Sequence, residues 1–497
     1  MGDPLATGYT RVFLIEGRAR ADREPSYESS LKMAGIDYSR GDIEDIKVPD
    51  PQTYDRFKTV GKLRGEEERP STSLSGRYCV DVRSELLRLA RIGCAVDVQL
   101  HMGTCSIPSI FNEFQKAVVL EDVYLASYST DELGALGPDE RAVVNETVEI
   151  SAAKIYEVLP VVVSEVGADV VTNEVLDIII ADQVSCGECE SYSDGCQKIF
   201  AITKAAGGSP STPADVVFSL DGGATWHAHD IDSMNATDDP SAIAKVQSYI
   251  VVVSQDSGSL HYALFSEFDG ATDPDFTEVS TGFNASGAPN DIWSIGNMAF
   301  IVGEGGYIYK VTDPSAGVTE LDSSAAGGDG LNAVHALDDE KAVAVGDNGA
   351  VVYTRNGTLW TAASRPVGYG VNLTCVWMRG EDEWWVGTDD GRVFYTLDAG
   401  TSWTEKSLPG NLAAIYDICF PFESVGWIAG ATSAPAGRIL RSYDGGYSWL
   451  VIPEGTSVIP ANDAVNAIAG CTEDANILAA GGLADDGSDG ILLIAQP

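Results

Sequence analysis

Four segments of the chain spell the same turn. Val216-Val-Phe-Ser219-Leu-Asp221-Gly-Gly-Ala-Thr225-Trp226, Val393-Phe-Tyr-Thr396-Leu-Asp398-Ala-Gly-Thr-Ser-Trp403 and Ile439-Leu-Arg-Ser442-Tyr-Asp444-Gly-Gly-Tyr-Ser-Trp449 fit Ser/Thr-x-Asp-x-Gly-x-Thr/Ser-Trp. The copy Val351-Val-Tyr-Thr354-Arg-Asn356-Gly-Thr-Leu-Trp360 is one residue short. The residue types suit a hairpin turn. Asp221, Asn356, Asp398 and Asp444 can accept backbone N–H bonds inside the turn, and Gly223, Gly400 and Gly446 supply positive φ. The hydroxyls of Ser219, Thr225, Thr354, Thr396, Ser402, Ser442 and Ser448 add local bonds, while Trp226, Trp360, Trp403 and Trp449 fold back onto the sheet. These side chains build structure.

Equivalent turn positions, Asp221, Asp269, Asp313, Asn356, Asp398 and Asp444, follow one another at 48, 44, 43, 42 and 46 residues. Asp269 and Asp313 sit in degenerate copies. Upstream of each turn a second hairpin recurs, as in Ala299-Phe-Ile-Val-Gly303-Glu-Gly-Gly306, Ala342-Val-Ala-Val-Gly346-Asp-Asn-Gly349 and Trp384-Trp-Val-Gly387-Thr-Asp-Asp-Gly391, preceded by a further apolar strand. Four strands in 42 to 48 residues make one propeller blade, which predicts about seven blades over 196–497. Both end units look incomplete, so the ring is expected to close with strands from both ends, leaving no free sheet edge.

The repeats resemble the Asp-box (BNR-like) propellers: sialidases, sortilin-type domains and photosystem II stability and assembly factor-like propellers. The likeness covers about 300 residues. A sialidase uses three arginines for a carboxylate and a Glu-activated tyrosine. The propeller region holds only Arg355, Arg365, Arg379, Arg392, Arg438 and Arg441, two of them inside boxes, and lacks the Arg-rich opening motif. The resemblance therefore implies a binding or spacing module, and no enzyme is expected.

Residues 1–195 differ in texture. They hold 19 Lys+Arg against 35 Asp+Glu, the remainder 12 against 39, and all nine Trp fall in the second part. This shift predicts two domains, 1–195 and 196–497. Strands are expected at Arg11–Glu16, Ala95–His101, Lys116–Tyr128, Lys154–Ser164 and Val175–Val184. A helix is expected at Val82–Gly93 from apolar spacing and terminal Gly, and polar loops at Asp37–Ser75 and Thr130–Arg141. The element order resembles the major tail protein of tailed bacteriophages, a β-sandwich or barrel-like domain with one helix that packs as rings into a tail tube. That resemblance implies a ring-forming homo-oligomer in stacked rings within a virion, other tail proteins as partners, and a channel through which DNA passes.

The net charge of −43 disfavours binding of nucleic acid through its phosphates and suits a lumen along which DNA slides unbound. No apolar run is long enough to span a bilayer, the first residues show no secretion signal, and Ala6 speaks against myristoylation of Gly2.

Nine cysteines are scattered, and Cys186, Cys189 and Cys196 are close enough to bind zinc with a fourth ligand such as His101 or Cys105. A disulfide or free thiols fit as well. His227 and His229 read as surface residues on one strand face, and Asp485–Gly490 and Thr388–Gly391 as solvated turns only faintly like calcium loops. No cofactor is expected beyond these zinc or calcium candidates. Gly303–Gly306 precedes a strand and lacks Lys-Ser/Thr, which excludes a phosphate loop. The leading reading is a viral tail-tube subunit displaying a propeller for decoration or for binding a host-surface glycan. The alternative is a cellular Asp-box propeller acting as assembly factor or carbohydrate-binding module, and a glycan hydrolase is the third class.

Overall fold

A computed structural model describes residues 10–16, 18, 20–22, 71–79, 96–103, 114–130, 143–167, 170–171, 173–181, 198–205, 214–452 apart from 236, 322, 369, 434 and 435, 464–483, and 490–496. Among the described residues the chain is all β, with no α-helix and only three-residue 3-10 turns such as Glu304–Gly306 and Asp347–Gly349.

Seven four-stranded antiparallel sheets form a ring. Blade 1 holds Val175–Ile180, Ile199–Thr203, Asp215–Ser219 and His227–Asp230. Blade 2 holds Ala242–Val246, Tyr249–Ser254, Ser259–Leu264 and Thr277–Val279. Blade 3 runs through Pro289–Ser294, Ala299–Gly303, Ile308–Asp313 and Gly317–Glu320, and blade 4 through Leu331–Ala336, Ala342–Gly346, Val351–Thr354 and Trp360–Ala362. Blade 5 comprises Leu373–Met378, Trp384–Thr388, Val393–Thr396 and Thr404–Lys406, and blade 6 Leu412–Cys419, Gly426–Thr432, Gly437–Ser442 and Leu450–Val451. The first strand of each is innermost, and each inner strand contacts that of the next blade all the way round, blade 7 meeting blade 1.

Blade 7 is the closure. Ala464–Gly470, Leu478–Leu483 and Gly490–Gln496 supply three strands, and the fourth is Val162–Val166, with Val163 opposite Ala495 and Glu165 opposite Leu493. The expected closure from both ends is present. The boundary at 195 is corrected, because the ring takes strands from Val162–Val166 and Val175–Ile180, whose apolar alternation looked no different from the strands before them.

The core lies between blades, where β-branched and aromatic residues of facing sheets interlock. Phe200, Phe218, Ile243 and Val252 fill the gap between blades 1 and 2, and Trp385, Ile418, Leu440 and Trp449 that between blades 5 and 6. Trp384, Trp385 and Trp427 are fully buried, each removing a large apolar surface from water.

The remaining sheet has six strands: β1 (Thr10–Glu16), β2 (Ser71–Cys79), β3 (Val96–Gly103), β4 (Phe114–Thr130), β5 (Val143–Ser151) and β6 (Lys154–Val158). Their order is β1-β3-β4-β5-β2, with β6 on β4. The 17-residue β4 is shared: its first part pairs with β3 and β6, its second with β5. Between the parts Asp122 takes a φ of 50° in a bulge, its N–H donating to Asp97 Oδ1 at 3.0 Å.

Several expectations change here. Ser71–Ser75, read as loop, belongs to β2, and β5 was not anticipated. The single strand Lys154–Ser164 is two, β6 and the closing strand β7 (Val162–Val166), parted at Pro160, which cannot donate to a ladder. The Val82–Gly93 helix and most of the Asp37–Ser75 loop lie outside the described residues. Nor is this sheet packed apart from the ring. Ala117, Val119, Tyr156 and Val158 share one core with Phe422, Trp427, Ile439 and Leu478.

Candidate functional site: the central channel

The seven inner strands enclose a channel of about 200 Å³, and no lysine or arginine is among the residues lining it. Six of the seven carry a register shift near their start, at Leu176, Asn290, Asn332, Thr374, Tyr416 and Asn466. A bulge frees backbone groups and re-aims side chains. Here polar residues at and beside the bulge bond to the next blade.

Every junction is bridged by such a polar side chain, in blade 2 by Ser241 ahead of an unbulged strand. Asp177 Oδ2 accepts from Ile243 N–H at 2.8 Å, and Ser241 donates to the Pro289 carbonyl at 2.9 Å. Asn290 donates to Leu331 O at 2.9 Å, Asn332 to Leu373 O at 3.1 Å, and Thr374 to Ile415 O at 2.6 Å. Asp417 Oδ2 accepts from Ile468 N–H at 2.9 Å. Asn466 closes the circle by donating to Glu174 at 2.9 Å and to Val175 O at 3.4 Å. Asp291 adds a second bond at its junction, from Val334 N–H at 2.7 Å.

Asp177, Asp291 and Asp417 occupy equivalent places in blades 1, 3 and 6. The other oxygen of each accepts from the following residue's N–H at 2.7–2.8 Å. All three are half-buried and line the lumen. Burial pushes Asp177 up to about 8, with the charges of Asp291 and Asp417 adding to it. Burial likewise lifts Asp291 to about 6 and Asp417 to about 7.

Toward the other end of the inner strands, His335 packs between Trp293 and Trp377 with its ring tilted to both, each ring centre 4.2 Å away. Its Nδ1 accepts from Met378 N–H at 3.3 Å, and burial lowers it to about 3, so it is neutral. Trp293 Nε1 donates to the Ala336 carbonyl. Tyr416 and Leu176 are the two exceptions in this layer. Where five blades place Asn, Ser or Thr tied to the next blade, blade 6 presents a tyrosine that is 36% exposed, and blade 1 presents Leu176.

The sequence-derived residues lie elsewhere. In three boxes the Ser/Thr before the acid bonds the carboxylate, Ser219 to Asp221 at 2.9 Å, Thr396 to Asp398 at 2.7 Å and Ser442 to Asp444 at 2.9 Å, and accepts from Gly223, Gly400 and Gly446 N–H. The second hydroxyls, of Thr225, Ser402 and Ser448, return to the other carboxylate oxygen at 2.6–2.7 Å. Thr354 bonds Asn356 at 3.2 Å, and Asn356 Oδ1 accepts from Leu359 N–H at 2.8 Å in the shorter turn. Trp226 Nε1 donates to Gly223 O, and Trp403 Nε1 to Ser364 O of the preceding blade, while Trp360 and Trp449 are buried. All four turns join the third strand to the outermost one, far from the channel.

Only Asp444 is buried among the three box acids, because the six-stranded sheet docks there: Gln99 donates to Tyr443 O at 2.7 Å. Arg441 is also buried, donating to Leu159, Ala475 and Asn476 and stacked on Trp427. The other propeller arginines are dispersed and engaged: Arg355 with Glu381 and Asp382, Arg365 with Asp329, Arg379 with Glu383, Arg392 with Asp390, and Arg438 with Gly437 O.

Cys186, Cys189 and Cys196, and the Asp485–Asp489 stretch, lie outside the described residues. Among those described, no three His, Cys, Asp or Glu side chains converge as metal ligands. Cys471 is disulfide-bonded, and Cys375 and Cys419 are buried free thiols. His229 is not a free surface residue, since it pairs with Asp273 at 2.5 Å and stacks on Phe218, against which His227 also packs. Thr388–Gly391 is a hairpin turn in which Thr388 bonds Asp390. Sequence reasoning missed the channel acids. Their signal is a lone Asp followed by Ile within an apolar inner strand, in Leu176-Asp-Ile, Asn290-Asp-Ile and Tyr416-Asp-Ile.

No family model matches the chain, and no curated protein matches it. Among solved structures it is similar to YCF48 from Cyanidioschyzon merolae, with a TM-score of 0.50 and 16% identity over 68% of this chain and 99% of that one. A structure of YCF48 bound to D1 peptide gives a TM-score of 0.50 and 16% identity over 68% and 98% of the two chains. U3-55K gives 0.47 and 11% over 67% and 98%. At such identities the likeness to YCF48 is one of fold, the β-propeller, and the tail-tube resemblance of the N-terminal region draws no support from it.

Proposed function

We propose that this chain is a binding protein of the assembly-factor kind: an Asp-box propeller that holds an extended segment of a partner polypeptide over the mouth of its channel. The observation that carries the reading is the likeness to YCF48 bound to D1 peptide, which extends over 98% of that chain. Tyr416 supports it. An exposed tyrosine lining the channel, free of the junction role its counterparts fill, offers flat apolar area and a hydroxyl at low entropic cost.

The viral tail-tube reading drew on Val82–Gly93 and Asp37–Ser75, and no described feature favours it over the binding reading. Catalysis is no part of the proposal. The test is an array of extended peptides titrated by fluorescence anisotropy against the full chain and Tyr416→Ala. Saturable binding of a peptide subset, weakened about tenfold by the substitution, is expected. Absence of any saturable peptide, with stacked hollow rings in electron micrographs, would overturn the proposal, as would turnover of a fluorogenic sialoside.

A further inference from the structure

We propose, resting on the binding reading above, that the segment held over the channel is cationic. The ring receives one of its arginine or lysine side chains in a cradle above Gly330, between the carboxylates of Glu304 and Asp347.

Two equivalent turns build the cradle. Glu304 and Asp347 open the 3-10 turns Glu304–Gly306 and Asp347–Gly349, each directly after the second strand of its blade and beside the start of an inner strand. Gly330, the residue before the inner strand of blade 4, has no side chain to fill the space between them. The point that a Cβ on Gly330 would occupy is 3.0 Å from Asp347 Oδ2 and 3.4 Å from Glu304 Oε2, so oxygens from blades 3 and 4 converge on one place. The other oxygen of each is held from behind. Gln255 donates to Glu304 Oε1 at 3.0 Å, and Asn332 to Asp347 Oδ1 at 3.2 Å. The Asp347 N–H donates to the Gly330 carbonyl at 2.9 Å and fixes the floor. Gly330 lies two residues ahead of Asn332, whose counterpart in blade 6 is Tyr416, so the cradle and the exposed tyrosine belong to one end of the ring.

Charge complementarity selects the occupant. The cations of this rim are already engaged, Arg365 with Asp329 and Arg392 with Asp390 at 2.6 Å each, and Lys204 with Glu174 and Asp239 at 3.9 and 3.8 Å. No lysine or arginine lines the channel beside it. A divalent ion takes about six oxygens or more, and among the described residues no third His, Cys, Asp or Glu joins the pair. A guanidinium needs acceptors alone, and its planar fork donates to two carboxylates at once. A lysine ammonium fits the same pair as a point charge with three donors.

The test titrates the full chain, by fluorescence anisotropy, with three labelled peptide pools of one length that carry arginine, citrulline or glutamate at a fixed position among randomised residues. Wild type is compared with Tyr416→Ala, with the Glu304→Gln/Asp347→Asn double variant, and with Gly330→Ala, which fills the cradle and leaves the charge alone. The arginine pool is expected to bind about tenfold tighter than the citrulline pool and to weaken with added salt. That preference is lost in the double variant and in Gly330→Ala, whereas Tyr416→Ala weakens the pools alike. Citrulline or glutamate pools that bind as tightly as arginine, with the Tyr416 dependence kept, would overturn the cationic partner and leave the binding reading standing. An arginine preference unchanged in both cradle variants would overturn the cradle. No saturable binding of any pool would sink the binding reading and this partner with it. Should the variants fail to fold, the comparison of pools on the wild type still decides.

Discussion

Glu121 of β4 accepts a hydrogen bond from the backbone N–H of Ser424 in blade 6, 3.1 Å long, while the Tyr156 hydroxyl donates to the same oxygen at 2.5 Å. One side chain thus joins the six-stranded sheet to the ring. Glu423, Ser424, Tyr156, Lys154 and Arg379 act on it.

Burial raises the Glu121 carboxyl, so its contribution to docking is complete in acid and is lost as pH rises through that raised value. Glu121→Gln keeps the shape and cannot ionise. It is expected to stay within about 1 kcal/mol of wild type at neutral pH and to resist alkaline loosening, whereas Glu121→Ala costs about 1–3 kcal/mol. Urea melts across pH check both.

The box acids Asp398 and Asp444 make matching bonds in opposite surroundings. Bonds from Ser402 hold exposed Asp398 below the usual carboxylate range, whereas burial raises Asp444. Asp398 therefore stabilises above its ordinary value and loses that contribution in acid; Asp444 shows the reverse dependence. Asp398→Ala is expected to cost about 1 kcal/mol at pH 7, and Asp444→Ala about 2–3 kcal/mol, because it strands the buried bonds of Ser442 and Ser448. Denaturation at pH 4 and pH 7 compares them.

Gly346 has an ordinary extended φ of −173°, yet a Cβ there would lie 1.9 Å from the Gly330 carbonyl. Gly303 and Gly482 meet the preceding strand in the same manner. Gly346→Ala is expected to cost at least about 2 kcal/mol by forcing the first two strands of blade 4 apart. Gly222→Ala, with open space but a φ of +73°, should cost only about 1 kcal/mol. Thermal melts of the two variants decide.

Cys471 follows the inner strand of blade 7 and packs with Val175, Ile178 and Ile199 of blade 1. Its disulfide therefore stands where the ring's two ends meet. Reductant, or Cys471→Ala, is expected to destabilise the chain by about 2–4 kcal/mol. Melting with and without dithiothreitol measures this.

The blades were legible because a turn motif and an alternating hairpin recur with one period, and local chemistry dictates both. Trp226 and Trp403 make that chemistry visible, since their indoles bond back into the turn or onto the neighbouring blade. The channel was not legible, because it is made by neighbours about 40 residues or more apart. Nothing in Tyr416-Asp417-Ile418 says that Asp417 meets Ile468. The boundary at 195 failed for a related reason: whether an apolar strand such as Val162–Val166 joins one sheet or another depends on a partner more than 300 positions away, Gly490–Gln496.

That pairing also sets an order of events during synthesis. Val162–Val166 leaves the ribosome before any blade is complete and must wait, unpartnered, until the last strand of blade 7 emerges. A nascent or truncated chain therefore shows two adhesive strand edges that the finished molecule hides, and locking of the ring signals that every blade has been made.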